Sequence, residues 1–296
     1  MTIDYKANIF KYSVISFSYI WIIAFIFFPI LIIIGIGLSY ESFGREPYLF
    51  FISFVGNKVD ISPNFQNFFH ILSDEIFLNS LANSFKLASI ATIICLMIGY
   101  PLAYSIFLAP MNIRDTLLTL VIIPFWTAML IRIYAWIVIL KKYGILNNIL
   151  LSIGLIDQPI EYLYSEGAVI LGMVYTYLPF MVLPIYSALK KIDVSIIEAS
   201  RDLGAKSITI FWKIVVPLTV SGISGGALLV FIMGIGEYVI PDLLGGTNVI
   251  TIGKLIWSEF FFNRDWVLAS ATVSVLIVLI MIPLVIFKKT ITDNVV

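Results

Sequence analysis

Long apolar runs dominate this chain and leave it few folds. About 20 apolar residues in a helix cross the hydrocarbon core of a bilayer. Six such runs can be laid along the 296 residues, at 18–40, 77–107, 116–140, 166–189, 215–240 and 266–287. A helix satisfies its own backbone hydrogen bonds in lipid. Barrel strands would be shorter and alternate in polarity, a pattern not visible here. Only 12% of the residues are charged, against roughly 25% in soluble domains. The expected fold is an all-α integral membrane protein with six transmembrane helices.

The first run follows Lys6 and Lys11, as the apolar region of a signal peptide would. Ser18 to Tyr40 is too long for one, and no small-x-small cleavage site closes it, so it reads as a retained span. The second run has room for a tilted or interfacial end. Gly99-Tyr100-Pro101 is expected to kink it, because proline removes a backbone donor. Loops are expected at 41–76, 108–115, 141–165, 190–214 and 241–265. In the first of these, Gly44, Pro47, Gly56 and Pro63 argue against a long uninterrupted helix. With the N-terminus inside, the cytoplasmic segments hold Lys6, Lys11, Arg114, Lys190, Lys191, Arg201, Lys206, Lys213, Lys288 and Lys289. The outside segments hold Arg45, Lys58, Lys141, Lys142, Lys254 and Arg264. Ten against six places both termini in the cytoplasm. The chain divides into an N-terminal segment with the first span and periplasmic loop (1–76), a core of five spans (77–287) and a cytoplasmic tail (288–296).

Several chemistries lack material. The one cysteine, Cys95, lies in an apolar run and the one histidine, His70, in a polar loop. A Cys/His metal site or a Ser-His-Asp triad has almost nothing to be built from, so no metal and no catalytic residue is expected. Net charge is zero, which suggests no nucleic-acid partner. No G-x-x-x-x-G-K-[ST] loop occurs, including around Gly253-Lys254, so the chain needs an ATPase partner if it uses ATP.

The segment from Lys190 to Pro217 stands out as a charged island that holds five of the eighteen Lys and Arg. Ser195 and Glu198 have the S-x-x-E spacing of a capping box. Ile196, Ala199, Ser200 and Leu203 then share one helical face, opposite Glu198, Arg201 and Asp202. Gly204 suits a left-handed stop. Ser207 is placed to cap a second helix, Ile208 to Val216, before Pro217. The result is a helix-turn-helix elbow. From the residues alone, Glu198 is either its own helix's cap or a contact for another protein.

The order Glu198-Ala199-Ser200-Arg201-Asp202-Leu203-Gly204-Ala205, with Ile214-Val215-Val216-Pro217 downstream, resembles the cytoplasmic EAA signature of ABC importer permeases. Ser200 replaces the family's usual second alanine. Other stretches narrow the match: Gly99-Tyr100-Pro101-Leu102-Ala103-Tyr104, Ile131-Arg132-Ile133-Tyr134-Ala135-Trp136, Tyr177-Leu178-Pro179-Phe180-Met181 and Gly236-Glu237-Tyr238-Val239-Ile240-Pro241. Together these resemble the spermidine/putrescine-type (PotB/PotH-like) permeases, nearest the putrescine PotH-type subunit, from about Asn79 to Pro283. The resemblance implies a type I ABC importer permease fold in the bacterial inner (cytoplasmic) membrane. Its EAA loop, with Glu198, Ala199, Ser200, Asp202, Leu203, Gly204 and Ala205, would dock on the ATPase. The implied partners are a second homologous permease, an ATP-binding subunit dimer and a periplasmic polyamine-binding protein, besides membrane lipid. ATP and Mg would be used by the ATPase, with no cofactor bound by this chain.

Charged residues inside a membrane need a reason, and Lys86, Arg132 and Glu237 are such residues. A polyamine is a flexible organic cation, which carboxylates and aromatic faces can hold. Glu237 is the leading substrate-path candidate, with Tyr238 and Asp242 beside it. The alternative is an ion pair from Glu237 to Arg132 or Lys86 that locks helices together. Arg132 would repel a polyamine and reads as structural. Trp126 and Tyr134 are candidates for a cation cage, against the ordinary reading of an interface belt. Gly222 and Gly226 favour close helix packing, within the chain or against a sister permease. A stand-alone secondary transporter is the rival function. It predicts midplane acids and internal repeats, of which only Glu237 partly fits. An intramembrane enzyme would need clustered Asp, His or Glu, which are scarce here.

Overall fold

In a computed structural model the chain is described over residues 15–42, 44, 46–55 and 58–293. Lys6, Lys11, Arg45 and Gly56 lie outside the described residues, as do 294–296 of the tail and the side chains of Lys288 and Lys289. The chain divides into two compact units, Met1–Phe77 with Ile256–Leu279, and Leu78–Leu255 with Ile280–Val296.

In the first unit, α1 (Ile15–Gly37) is an apolar helix of spanning length, and only 11% of its most apolar stretch is buried. Its Phe, Ile and Trp side chains therefore face outward, as contact with lipid permits. Carbonyls left over at a helix end need donors. Asn67 supplies them, donating from Nδ2 to the carbonyls of Gly37 and Ser39, both at 2.9 Å. Between lie two antiparallel hairpins, β1 (Tyr40–Glu41) with β2 (Tyr48–Leu49), and β3 (Ile52–Val55) with β4 (Lys58–Ile61). The short helix α2 (Gln66–Ser73) carries Asn67. The turn-rich 41–76 segment thus forms no long helix.

The second unit contains most of α3 (Glu75–Leu108), which passes through Pro101 without interruption. It continues with α4 (Met111–Trp126), α5 (Met129–Leu140), α6 (Ile145–Ser152) and α7 (Glu166–Leu189). The elbow follows as α8 (Val194–Asp202) and α9 (Ser207–Leu218), then α10 (Val220–Ile235), α11 (Val239–Gly245) and α12 (Ile252–Trp257). The last helix, α13 (Trp266–Asp293), runs through both units.

Among the described residues, four helices are long and apolar enough to cross a membrane singly, and up to six spans result if each bent pair counts as one. Two expected spans are therefore corrected. The run 116–140 is not one straight helix: α4 and the following segment Met129–Ser152, which holds α5 and α6, meet at 86°. Pro124 removes a donor from the last turn of α4, and Thr127 and Ala128 are extended at ψ 149° and 132°. The run 215–240 is likewise bent by 65° between α9 and α10, and it stops at Ile235. The loops expected at 141–165 and 241–265 also hold helices, α6 in the first and α12 with most of α11 in the second. Buried Asn147 fastens the first of these, donating to the carbonyls of Lys142 and Ile160 and accepting the Ile160 N–H.

At the centre of the second unit is α7, with Met173, Tyr177, Met181 and Ile185 buried against Leu87, Ala91 and Cys95 of α3 and Ile240 and Leu244 of α11. Its most extensive partner is α10. The two backbones approach closely at glycines. A Cβ on Gly222 would stand 2.6 Å from both the Pro184 carbonyl and the Ala188 Cβ, and one on Gly226 would stand 3.1 Å from the Met181 carbonyl. These glycines therefore serve packing inside the chain, not a sister permease. Gly225 faces open space. Gly222→Ala is expected to cost about 1–3 kcal/mol through overpacking, seen as a lower thermal midpoint of the detergent-solubilised protein. Gly225→Ala should leave the midpoint unchanged or raise it, because alanine is the better helix former.

Candidate functional site

The elbow is built differently from the capping-box expectation. Its first helix begins at Val194, one residue before Ser195, and Asp193 is the N-cap, its carboxylate accepting the Ser195 N–H at 3.0 Å. That N–H is the donor a capping-box Glu198 would have used. Asp193 takes it because the helix starts earlier, and its carboxyl is held below the usual aspartate range by this bond. The sign follows: the cap is intact above the ordinary aspartate pKa and is lost only as pH falls through the lowered value. Glu198 is exposed, and its carboxylate makes no hydrogen bond or ion pair among the described residues. Ser207 is likewise the first residue of α9 rather than its cap, which is Lys206.

The helix stop is as read. Gly204 has φ +79°, its N–H reaches the Arg201 carbonyl at 2.8 Å, and the Ala205 N–H reaches the Ser200 carbonyl at 3.1 Å. This pair of bonds is the Schellman arrangement. Ile197 is buried and anchors α8 to the core. The opposite apolar positions are not anchored: Ile196 is exposed, and Leu203 is 89% exposed at the tip. Two apolar side chains are thus left exposed on a capped turn. Behind it, Phe211 of α9 packs edge-on against Tyr100 and Tyr104 of α3, at 5.5 and 5.2 Å between ring centroids.

The second site lies where α10 ends and α11 begins. Glu237 Oε1 accepts the N–H groups of Val239 and Ile240 at 2.9 and 3.1 Å. Its Oε2 accepts the hydroxyl proton of Tyr177, whose ring is 2% exposed on α7. Gly253, next to the start of α12, comes so close that a Cβ there would meet the Gly236 and Glu237 carbonyls at 2.7 Å. The two ion pairs offered for Glu237 do not form. Lys86 pairs with Glu166 at 2.6 Å. Arg132 lies over the Phe125 ring, 5.7 Å from its centroid. Asp242 is already held by Lys254 at 3.3 Å, and Lys254 also donates to the Gly246 carbonyl. Of the two candidate acids, Glu237 alone has no cation within ion-pair distance among the described residues. Tyr238 is partly buried beside it, whereas Trp126 and Tyr134 are exposed, as in an interface belt.

The sequence assigns no site role to Tyr177, Asp193, Glu166 or Lys254, all of which hold partners here. Asp193 alone carried a usable local signal, an acid directly before the helix. The other partners are distant in sequence.

Residues 105–295 match the family described as binding-protein-dependent transport system inner membrane component. The chain belongs to this family of inner membrane components. Among its relatives is the spermidine/putrescine transport system permease protein PotB of Haemophilus influenzae, 40% identical over 89% of this chain and 88% of that one. The PotB protein of Escherichia coli is 40% identical over 85% of this chain and 87% of its own length. These relatives do not distinguish the PotH-type subunit from the PotB type. The fold matches a chain in the crystal structure of a bacterial alginate ABC transporter in complex with its pentasaccharide-bound periplasmic protein. The TM-score is 0.72, with 17% identity, covering 97% of this chain and 95% of that one. A chain of the MetNI methionine ABC transporter in an inward-facing conformation gives a TM-score of 0.57, with 15% identity over 73% and 95% of the two chains. The chain is thus a helical inner membrane component of a transport system that works with a binding protein.

The two bonds to Glu237 Oε1 predict how this family member tolerates change at the break. Glu237→Ala removes a cap and is expected to cost about 1 kcal/mol. Glu237→Gln keeps an acceptor at Oε1 and should cost less. Thermal unfolding of the purified variants checks the order.

Proposed function

We propose that the chain is a transmembrane permease subunit of an ABC importer for polyamines of the putrescine and spermidine class. The carrying observation is its 40% identity to PotB along almost the whole chain. The chemistry of the helix break supports it: Glu237 offers a carboxylate fixed by neutral donors, with no resident cation to displace. An ammonium end of the substrate would take a charge-assisted hydrogen bond there, with Tyr238 and Asp242 further along the path. Trp126 and Tyr134 are exposed candidates at the surface of the path.

The remaining components of this reading are a second homologous permease, an ATP-binding subunit dimer that uses ATP and Mg, and a periplasmic polyamine-binding protein. Both termini and the elbow face the cytoplasm. Residues Glu198, Ala199, Ser200, Asp202, Leu203, Gly204 and Ala205 form the ATPase contact. The exposed Leu203 and the unbonded Glu198 support that role.

Two experiments test the reading separately. In the reconstituted transporter, Leu203→Asp should abolish transport-coupled ATP hydrolysis while leaving membrane insertion and thermal midpoint unchanged, since Leu203 is an exposed tip. Normal coupled hydrolysis would remove the elbow from the mechanism. Glu237→Gln should raise the KM for polyamine uptake roughly tenfold, the loss of one charge-assisted bond. Unchanged uptake kinetics would leave Glu237 as a backbone cap only. Uptake by this chain alone in liposomes would favour the secondary transporter instead.

A further inference from the structure

Arg132 is the buried charged group that neither the elbow nor the break uses. It is 9% exposed, its Nε has no hydrogen-bond partner, and no carboxylate lies within ion-pair distance of it among the described residues. Its guanidinium lies over the Phe125 ring. A guanidinium is an array of donors built for planar or tetrahedral oxyanions. Left without an acceptor in a low-dielectric setting, it marks an incomplete site.

The same side chain lines a cavity of about 330 Å³ whose other walls include Ile106 of α3, Leu117 and Val121 of α4, and Leu178 of α7. That is within the size range of small-molecule sites, about 300–1,000 Å³. The lining holds no acid and, apart from Arg132 and Tyr175, only apolar side chains. Helix geometry indicates the depth. The 16 residues of α4 rise roughly 24 Å from Met111, close to Arg114 and Asp115, to the exposed Trp126. That is most of a hydrocarbon core about 30 Å thick. The 86° bend then turns the segment Met129–Ser152 away from the α4 axis, with Tyr134 exposed on α5. Exposed Trp and Tyr are the side chains that settle at headgroup level. Arg132 therefore sits by the headgroup end, and the apolar cavity extends from it along α4.

We propose that this cavity binds an anionic phospholipid, with its phosphodiester on the Arg132 guanidinium and part of one acyl chain along Leu117, Val121 and Leu178. A zwitterionic head would bring an ammonium for which the cavity has no carboxylate, so the preference is for net negative lipids such as phosphatidylglycerol. The bound lipid would also fill the bend between α4 and α5. The inference is independent of the polyamine reading, since it concerns no transported substrate.

The test is native mass spectrometry of the intact transporter, purified with mixed phosphatidylglycerol and phosphatidylcholine. The wild type should retain phosphatidylglycerol. Arg132→Gln should bind it roughly tenfold more weakly, the loss of one charge-assisted contact, and Arg132→Lys should keep part of the preference. Val121→Phe leaves the charge and narrows the cavity, so it should lower retention of both lipids and gives an answer even if Arg132→Gln fails to assemble. Equal phosphatidylglycerol retention in wild type and Val121→Phe, or in wild type and Arg132→Gln, would overturn the proposal. So would a charge-swap partner on the second permease: restored assembly of Arg132→Glu by a basic substitution there would give the guanidinium to a subunit contact instead.

Discussion

A helix broken inside a membrane must find partners for the backbone groups the break sets free, because lipid offers none. This chain breaks its apolar runs in three places, and at each a side-chain oxygen from the break itself meets the backbone. Thr127 donates to the Pro124 carbonyl at 2.8 Å where α4 gives way to α5. Thr219 donates to the Val215 carbonyl at 2.9 Å where α9 turns into α10, and Tyr100 joins it from α3, 2.9 Å away. Glu237 accepts two N–H groups between α10 and α11. At the third break the carboxylate takes up two N–H groups that have no helical partner, whereas the Val215 carbonyl keeps a backbone bond from the Thr219 N–H at 3.1 Å. The cavity at Arg132 and the carboxylate at Glu237 both lie beside such breaks.

The sequence was most legible where the controlling physics is local. The bounds of α7 agree with the apolar run to the residue. Ser165 caps its start, accepting the Ala168 N–H at 3.2 Å, and Lys190 follows its end. Gly204 was readable for the same reason, since a helix stop in the left-handed region is a matter of one residue's backbone freedom. The bends at Thr127 and Thr219 were not readable. Hydropathy runs straight through both, and Pro124 and Pro217 are compatible with a straight or a broken span until packing chooses. Glu237 shows the limit most clearly. Its charge invited a search for a cation among Lys86 and Arg132, whereas its partners are two backbone N–H groups and a tyrosine 60 residues earlier. A carboxylate satisfied by neutral donors leaves no trace in a charge pattern.

Elbow and membrane core meet through a short chain of contacts. Ile197, Ile210 and Val215 are buried members of the same core cluster as α7. Phe211 wedges its ring against Tyr100 and Tyr104, and Tyr100 in turn touches Thr219 at the bend. The packed path from α8 to the joint between α9 and α10 thus starts at Ile197, not at the exposed tip.

The joint also explains why the α7–α10 seam is glycine-lined. A hinge is useful only if the segment beyond it moves as a body. Gly222 and Gly226 bring α10 into backbone contact with α7, and the Tyr177–Glu237 bond ties the far end of α10 to the same helix. The seam and that bond hold α7 and α10 together from Gly222 to Glu237. On the proposed function, a nucleotide-driven partner at the elbow and a cation at Glu237 would bias one equilibrium from opposite ends. That requires each to contact the two states differently. The fixed seam between Gly222 and Tyr177 is what makes the two ends one element.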